Sequence, residues 1–348
     1  MEKEKDSVTT GPSLSEIFAA FEKSLGFKND IKWPSCIAII LYHIVGVYWS
    51  CYDLLVLQLS FNFLTYKPLL DTLKLYFAAV IMYIATGFGI TGGAHRLWTH
   101  RAFKAKTPLK LLFLLCFASA GQNSLLQWVR DHRVHHKYSD TEADPHNANR
   151  GLFFSHIGWL MLKKNKEVLL RGKQMDLSDI EGDPLLRFYN KHFNILKLIF
   201  CYILPTLLGV ILWNENWRCA VAWQCFIRFL GMFHSELTVN SLAHAYGYKP
   251  YNKNIVPAEN RFVATCTLGE GWHNYHHAFP YDYKAAEHFD FWNFTTRFIQ
   301  FFEKIGWAYD LRVATPEMIN SIAARLGDGT PVHFPVIQNN VDTNRTSG

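Results

Sequence analysis

Sixteen histidines give this chain its most reactive set of side chains, and nine of them are patterned. His95 and His100 close the first set, HRLWTH. His132, His135 and His136 form HRVHH, and His273, His276 and His277 form HNYHH. His244 stands alone, four residues after Asn240, at the end of an apolar run. Neutral imidazole is the commonest metal-binding side chain and suits Fe, Cu, Zn and Ni. In HxxHH the three rings sit at i, i+3 and i+4 and share one helical face. HxxxxH does not fit one face of a straight helix and asks for a place where a helix ends or turns. Nine imidazoles exceed what one tetrahedral or octahedral ion accepts, and they fit two metals.

Other metal chemistries lack their signatures. None of the seven cysteines forms CxxC, which excludes the usual structural zinc pattern. HExxH is missing, so the usual metalloprotease motif is excluded. Soluble di-iron proteins use Glu with ExxH pairs, and here imidazole replaces carboxylate. Iron is the expected metal. His43, His146, His156, His192, His234, His288 and His333 read as structural, with His146 in DPH the best candidate to orient a ligand from behind. The cysteines lie mostly in apolar runs and read as small buried hydrophobes.

The elements that must position these rings look membrane-bound. The chain has 348 residues, of which 49% are hydrophobic, 16% aromatic and only 18% charged. An average soluble protein carries about 25% charged residues. Four stretches reach the bilayer length of about 20 residues: 35–58, 72–93, 194–213 (broken by Pro205) and 217–243. A fifth run, Pro108 to Trp128, is interrupted by Ser119, Gln122 and Asn123 and reads as an interfacial helix. The spans pair into two hairpins. The connection from Leu59 to Asp71 has Lys67 as its one base, and Asn214–Asn216 has none, whereas Ala94 to Phe193 holds sixteen Lys and Arg. By the positive-inside rule that segment and both termini face the cytosol, and all nine patterned histidines fall on that side. The net charge of +6 is spread along the chain, which suits anionic headgroups and not nucleic acid. The polar N-terminus lacks the apolar core of a secretory signal. Residues 1–33 are expected as a flexible cytosolic tail, 34–318 as the working domain and 319–348 as a C-terminal tail.

Two motifs are set aside. Gly87 to Gly92 matches GxGxxG but lies in a membrane span, outside any βαβ unit, where small residues serve close packing. The sequons at Asn293 and Asn344 are inert on the cytosolic side.

With these residues in place, the sequence resembles the membrane-bound fatty acyl-CoA desaturases of the stearoyl-CoA type, with wording similar to insect members. HRLWTH, HRVHH, HNYHH and the Asn240–His244 pair match that family's histidine boxes in order and spacing. The likeness continues through GITGGAHRLWTHR, VRDHRVHHKYSDTEADPHNANRG, GYKPYNKNIVPAENRF and LGEGWHNYHHAFPYDY, from Trp33 to Leu311. It implies an all-α membrane protein: four transmembrane helices in two hairpins beneath a cytosolic helical cap that holds the di-metal site. It implies two irons held by His95, His100, His132, His135, His136, His244, His273, His276 and His277, with Asn240 acting through a water. It further implies residence in the endoplasmic reticulum membrane, acyl-CoA as substrate, O2 as co-substrate, and cytochrome b5 with its NADH-dependent reductase as electron source. The chain itself shows no haem or flavin signature.

The resemblance assigns substrate contacts as well. Asn123, Arg130 and Asp131 match residues near the acyl bend and headgroup, and Lys163 and Lys164 match a basic pair that meets the CoA phosphates. Tyr83 and Gly87 match the closed end of the acyl tunnel, where Gly87 leaves room for a further methylene. Leu237 replaces an aromatic wall, and Ser35 stands where Asn is frequent. The implied activity is insertion of a double bond into a saturated acyl-CoA, with Δ9 the family default and other positions, Δ11 among them, used by insect members that make pheromone precursors. The alternatives are a di-iron fatty acyl hydroxylase with the same boxes and a non-enzymatic membrane metal-binding protein.

Overall fold

The computed structural model describes residues 13–24, 26–62, 66–287 and 291–332. His288, His333 and the stretch from Val336 onward lie outside the described residues, as does the chain before Ser13. The described part is mostly helical, with one small antiparallel pair, Lys104–Ala105 against Ala308–Tyr309.

Among the described residues, three helices are long and apolar enough to cross a membrane: Trp33–Asp53, Leu73–Thr99 and Pro184–Leu212. They carry large apolar side chains outward, among them Ile44, Val47, Phe77, Ile195 and Ile211. Such contiguous apolar surface suits lipid and not water. The fourth expected span is also one unbroken helical run, through Trp217–Val221, Ala222–Ile227 and Arg228–Ala245. It is not among the long apolar helices, because Arg228, His234, Glu236 and Asn240 interrupt it.

The boundaries differ from expectation in several places, each for a physical reason. The N-terminal segment includes a helix, Leu14–Ser24, whose Phe18 and Phe21 rings pack beside Trp33. The second span continues past Gly93 as a π-helix, Gly89–Thr99. The third starts at Pro184 and passes through Pro205 without breaking. Proline has no N–H to return to the carbonyl one turn earlier, here that of Cys201. The Arg228 guanidinium donates to that oxygen at 2.7 Å. It also donates to the Ser119 carbonyl at 3.1 Å and the Thr86 hydroxyl at 3.2 Å, so backbone and hydroxyl dipoles solvate a buried charge. The run from Pro108 to Trp128 is two helices, Thr107–Ala118 and the start of Leu125–Tyr138. The expected boundary at 318 falls inside the helix Pro316–Leu326, whose Ile319 is buried. Of the cysteines, Cys201 alone is fully buried and Cys51 is exposed.

Three histidines read as structural are joined in one polar chain. His43 Nε2 lies 2.8 Å from His234 Nε2, His234 Nδ1 lies 3.0 Å from His156 Nε2, and His156 Nδ1 lies 2.9 Å from the Ser241 hydroxyl. The chain links the first span, the segment Phe154–Gly158 and the fourth span.

The main hydrophobic core gathers Leu109, Phe113, Phe117, Leu125, Val129, Leu186 and Phe193. The glycines of the rejected nucleotide motif serve this packing. A Cβ on Gly89 would lie 2.2 Å from the Phe117 backbone nitrogen, and one on Gly92 would lie 2.7 Å from the Phe113 ring. The Thr107–Ala118 helix is thereby pressed against the π-helix that carries His95. Gly89→Ala should therefore cost about 1–3 kcal/mol through overpacking. Gly231→Ala, with nothing within 4 Å of the added carbon, should be neutral or stabilising. Thermal unfolding of the two detergent-solubilised variants checks the contrast.

Candidate metal centre

Each histidine set is delivered by a different local device. The π-helix Gly89–Thr99 answers the awkward spacing of HRLWTH. Its i→i+5 bonding places residues five apart over one another; His100 N donates to His95 O at 3.1 Å, and the two rings lie 4.8 Å apart. HRVHH lies on the helix Leu125–Tyr138, which Ser124 caps by accepting from Gln127 N. HNYHH lies on the six-residue helix His273–Ala278. Its side-chain capping comes from outside: Glu259 Oε1 accepts from Tyr275 N at 2.6 Å. The Asn274 amide accepts from Tyr251 N and Asn252 N and donates to the carbonyls of Asn252 and Pro257.

These devices bring all nine rings together, in two groups. His95, His100, His132, His136 and His276 form one, and His135, His244, His273 and His277 form the other. Within each group the ligand atoms lie within 4.8 Å of one another. The two groups adjoin, with the His136 and His277 rings stacked at 4.2 Å. The HxxHH sets are not used as single faces. In each, the i, i+4 pair serves one group and the remaining ring serves the other. His132 and His136 join the first group while His135 joins the second. His273 and His277 join the second while His276 joins the first.

The nitrogens themselves converge. Nε2–Nε2 distances are 2.9 Å for His95 and His276, 3.0 Å for His136 and His276, 3.1 Å for His244 and His273, 3.2 Å for His273 and His277 and 3.3 Å for His135 and His277. Carboxylates stand behind three of these rings at Nδ1: Glu270 at 2.8 Å from His95, Asp144 at 2.9 Å from His135 and Asp140 at 3.1 Å from His244. A neutral ring donating from Nδ1 turns a bare Nε2 lone pair inward. Lone pairs facing one another in a buried site lack a partner unless a cation lies between them. Two ligand nitrogens about 2.1 Å from one ion and at right angles stand roughly 3 Å apart, which is the spacing found. The buried Nε2 atoms of His100 and His132 have no hydrogen-bond partner among the described residues either. The site therefore fits metal ions, and its all-imidazole donor set accepts iron.

The electrostatics keep most of the ligands in their neutral, binding form, whereas at His135 burial is outweighed by the Asp144 carboxylate, which raises the ring. Burial first, and neighbouring imidazoles second, push His132, His136, His273, His276 and His277 well below the ordinary histidine range; for His100 burial and His95 do the same. Burial pushes Glu270 up, but Arg96 and His95 outweigh it and hold it at about 2. Asp144 is also held below its usual range, because His135 and His146 outweigh burial. His146 lies beside the ligands: its ring is 4.3 Å from that of His135, and its backbone N–H donates to Asp144 at 3.1 Å.

The other expected site residues are scattered around this centre. Asn240 lies one turn before His244 on the helix Arg228–Ala245 and is half-buried. Arg130 Nε lies 3.4 Å from Asp131, which pairs with Lys164. Lys163 pairs with Asp30 at 3.1 Å, beside the antiparallel bridge of Ile31 with Leu162. Lys163 and Lys164 line one small pocket with Arg150, Phe154 and Trp159. Asn123 is exposed in the turn before its helix. Leu237 is buried, and the Tyr83 hydroxyl lies 2.6 Å from both the Ser235 hydroxyl and the Cys266 carbonyl. The free space expected at Gly87 is filled: a Cβ there would lie 2.4 Å from Leu268 Cδ1. Sequence reasoning missed Asp140, Asp144 and Glu270. Their signal was faint, being acids within a few residues of histidine sets in SDTEADPH and GEGWH.

Comparison with known proteins agrees with this centre. A family model described as fatty acid desaturase matches residues 73–309. An acyl-CoA Delta-9 desaturase of Acheta domesticus is 46% identical over 305 residues, covering 87% of this chain and 81% of that protein. An acyl-CoA Delta(11) desaturase of Spodoptera littoralis is 45% identical, covering 87% and 86%. A human stearoyl-CoA desaturase is 44% identical, covering 87% and 80%. The chain belongs to the fatty acid desaturase family. Within that family it is an acyl-CoA desaturase of the stearoyl-CoA, Δ9 and Δ11 group.

The carboxylates give a test of the two groups. Removing an outer partner of a metal ligand typically costs about 10–100-fold in affinity. Glu270→Gln should weaken the ion of the five-histidine group by that factor, and Asp144→Asn that of the four-histidine group. Metal retained against a graded chelator series, measured on purified protein, checks both.

Proposed function

We propose that this chain introduces a double bond into a saturated long-chain acyl-CoA, with Δ9 as the working position. The observation that carries the reading is the convergence of nine imidazoles into two adjoining groups, in a chain this similar to acyl-CoA desaturases. In this reading all nine are iron ligands, and Asn240 assists through a water. The four helical runs at 33–62, 66–99, 184–213 and 217–245 cross the endoplasmic reticulum membrane in two hairpins, and the cap and both termini face the cytosol.

The overall change is R–CH2–CH2–R′ + O2 + 2 e− + 2 H+ → R–CH=CH–R′ + 2 H2O. Bound iron would supply the activation of O2 that no side chain provides. This chain's residues do the rest. Lys163 and Lys164 hold the CoA phosphates, and Arg130 with Asp131 holds the headgroup. Adjacent methylenes are chemically alike, so the choice of carbon pair is a matter of positioning. Tyr83, Leu237 and the filled space between Gly87 and Leu268 set how far the chain slides. The electrons come from cytochrome b5 and its NADH-dependent reductase.

Expression in a desaturase-deficient yeast, with new double bonds located by mass spectrometry, tests the reading. A Δ9 alkene is expected, and His135→Ala should abolish it. Full activity in that variant, or an alcohol as the product, would sink the proposal. Lys164→Ala should raise KM for acyl-CoA severalfold with kcat nearly unchanged, as expected for loss of uniform binding.

A further inference from the structure

Trp128 has no part in the mechanism above, yet its ring is set directly against two of the metal-group imidazoles. It stacks on His132 with centroids 4.8 Å apart and an interplanar angle of 26°, and it meets His95 edge-on at 6.3 Å. Both histidines belong to the five-histidine group. An indole nitrogen is a donor only, and here Nε1 donates to Glu236 Oε1 at 3.2 Å. Among the described residues Glu236 makes no salt bridge and no second hydrogen bond. The cation on its own helix, Arg228, lies two turns away and is bound by carbonyls and a hydroxyl. Trp159 offers a contrast. Its ring lies 5.4 Å from that of His146, but its buried Nε1 has no acceptor among the described residues.

An indole gives up an electron more readily than an imidazole does. In a water-poor site the obstacle is the positive charge left on the ring. Fixed negative charge aimed at the place where positive charge develops lowers that obstacle, and it acts more strongly where water is excluded. A carboxylate on the N–H provides such a charge and a place for the proton. Contact of the indole face with a ligand ring leaves one imidazole between the indole and the metal. When no acyl chain is bound, an oxidising equivalent formed at the metals from O2 has only protein to attack, and the ligand rings are nearest to it.

We infer that Trp128 is a redox-active residue that gives one electron to the oxidised five-histidine group when substrate is missing, with Glu236 taking the proton. The inference rests on the iron and O2 reading proposed above and adds a protective reaction to it. The Nε1–H bond breaks, the electron reduces the metals by one equivalent, and the proton forms an O–H bond on Glu236. A neutral indolyl radical is left. One electron from the external donor, with return of the proton from Glu236, restores the indole.

The test uses iron-loaded protein in membranes, without acyl-CoA or electron donor, mixed with hydrogen peroxide and frozen at once. Peroxide brings the oxygen and both electrons in one molecule. Electron paramagnetic resonance should show a radical whose lines narrow with ring-deuterated tryptophan, and zinc-loaded protein should show none. Trp128→Phe should lose the signal. Glu236→Gln keeps an oxygen for the N–H, so a purely structural role predicts no change, whereas loss of the charge should cut the radical yield severalfold. Peptide mass mapping of the wild type should find permanent oxidation at Trp128 in excess of that at Trp159, a comparison that needs no variant to fold. The inference is overturned by a wild type without a tryptophan radical, by a radical that persists in Trp128→Phe or appears with zinc, or by equal oxidation of the two tryptophans. An unchanged yield in Glu236→Gln overturns the part given to the carboxylate. A parallel assay with stearoyl-CoA and the donor separates the two readings: no new double bond defeats the desaturase assignment itself, whereas desaturation by a protein that forms no radical defeats only this inference.

Discussion

Imidazole lone pairs turned toward one another in a buried space are the constraint around which this molecule is organised. Nine rings are brought within reach of each other, and those with carboxylates behind them are oriented by fixed acceptors. Without cations the arrangement is electrostatically unrewarding, because each ring gives up water and gains no donor. The surrounding structure supplies what holds it in place. The π-helix sets two rings edge to face, its own glycines admit Phe113 and Phe117, and Glu259 with Asn274 secures a helix too short to stand alone.

The histidine sets were legible because their chemistry is local: three or four residues of spacing on a helix state which rings are neighbours. How the rings divide was not legible. A face that holds i, i+3 and i+4 is about 100° wide, enough to address two ions, and only the crossing of the two HxxHH helices decides which ring goes where. The five-residue spacing of His95 and His100 did announce an irregularity, although it reads equally as a helix end or as a change of helix type. Asp140, Asp144 and Glu270 stayed hidden because an acid is recognised as a partner of histidine only once the fold has closed the gap, as between Glu270 and His95.

The membrane part shows the same division. The apolar runs gave three helices directly. Helix continues beyond the apolar stretch at Pro184 and at Thr99. The fourth run looked like a span by length and yet holds polar groups, including half-buried His234 and buried Ser241 in the histidine chain to His43. Gly87 taught a related lesson. A missing side chain is not a cavity when a neighbour such as Leu268 reaches into it. Volume is a property of the packed set and not of one position.

The contact between Arg228 and the Cys201 carbonyl ties two distant positions into one unit of inheritance. Pro205 frees that carbonyl and Arg228 takes it up. Replacing Pro205 by a residue with an N–H looks like a repair of the helix, yet the restored donor competes for the oxygen that solvates the guanidinium. Replacing Arg228 alone strands the carbonyl in the bundle. Changing both would return a partner to the Cys201 carbonyl, whereas the Ser119 carbonyl, which Arg228 also serves, would lose its own. The two sites, on different helices, are thereby coupled through a single oxygen.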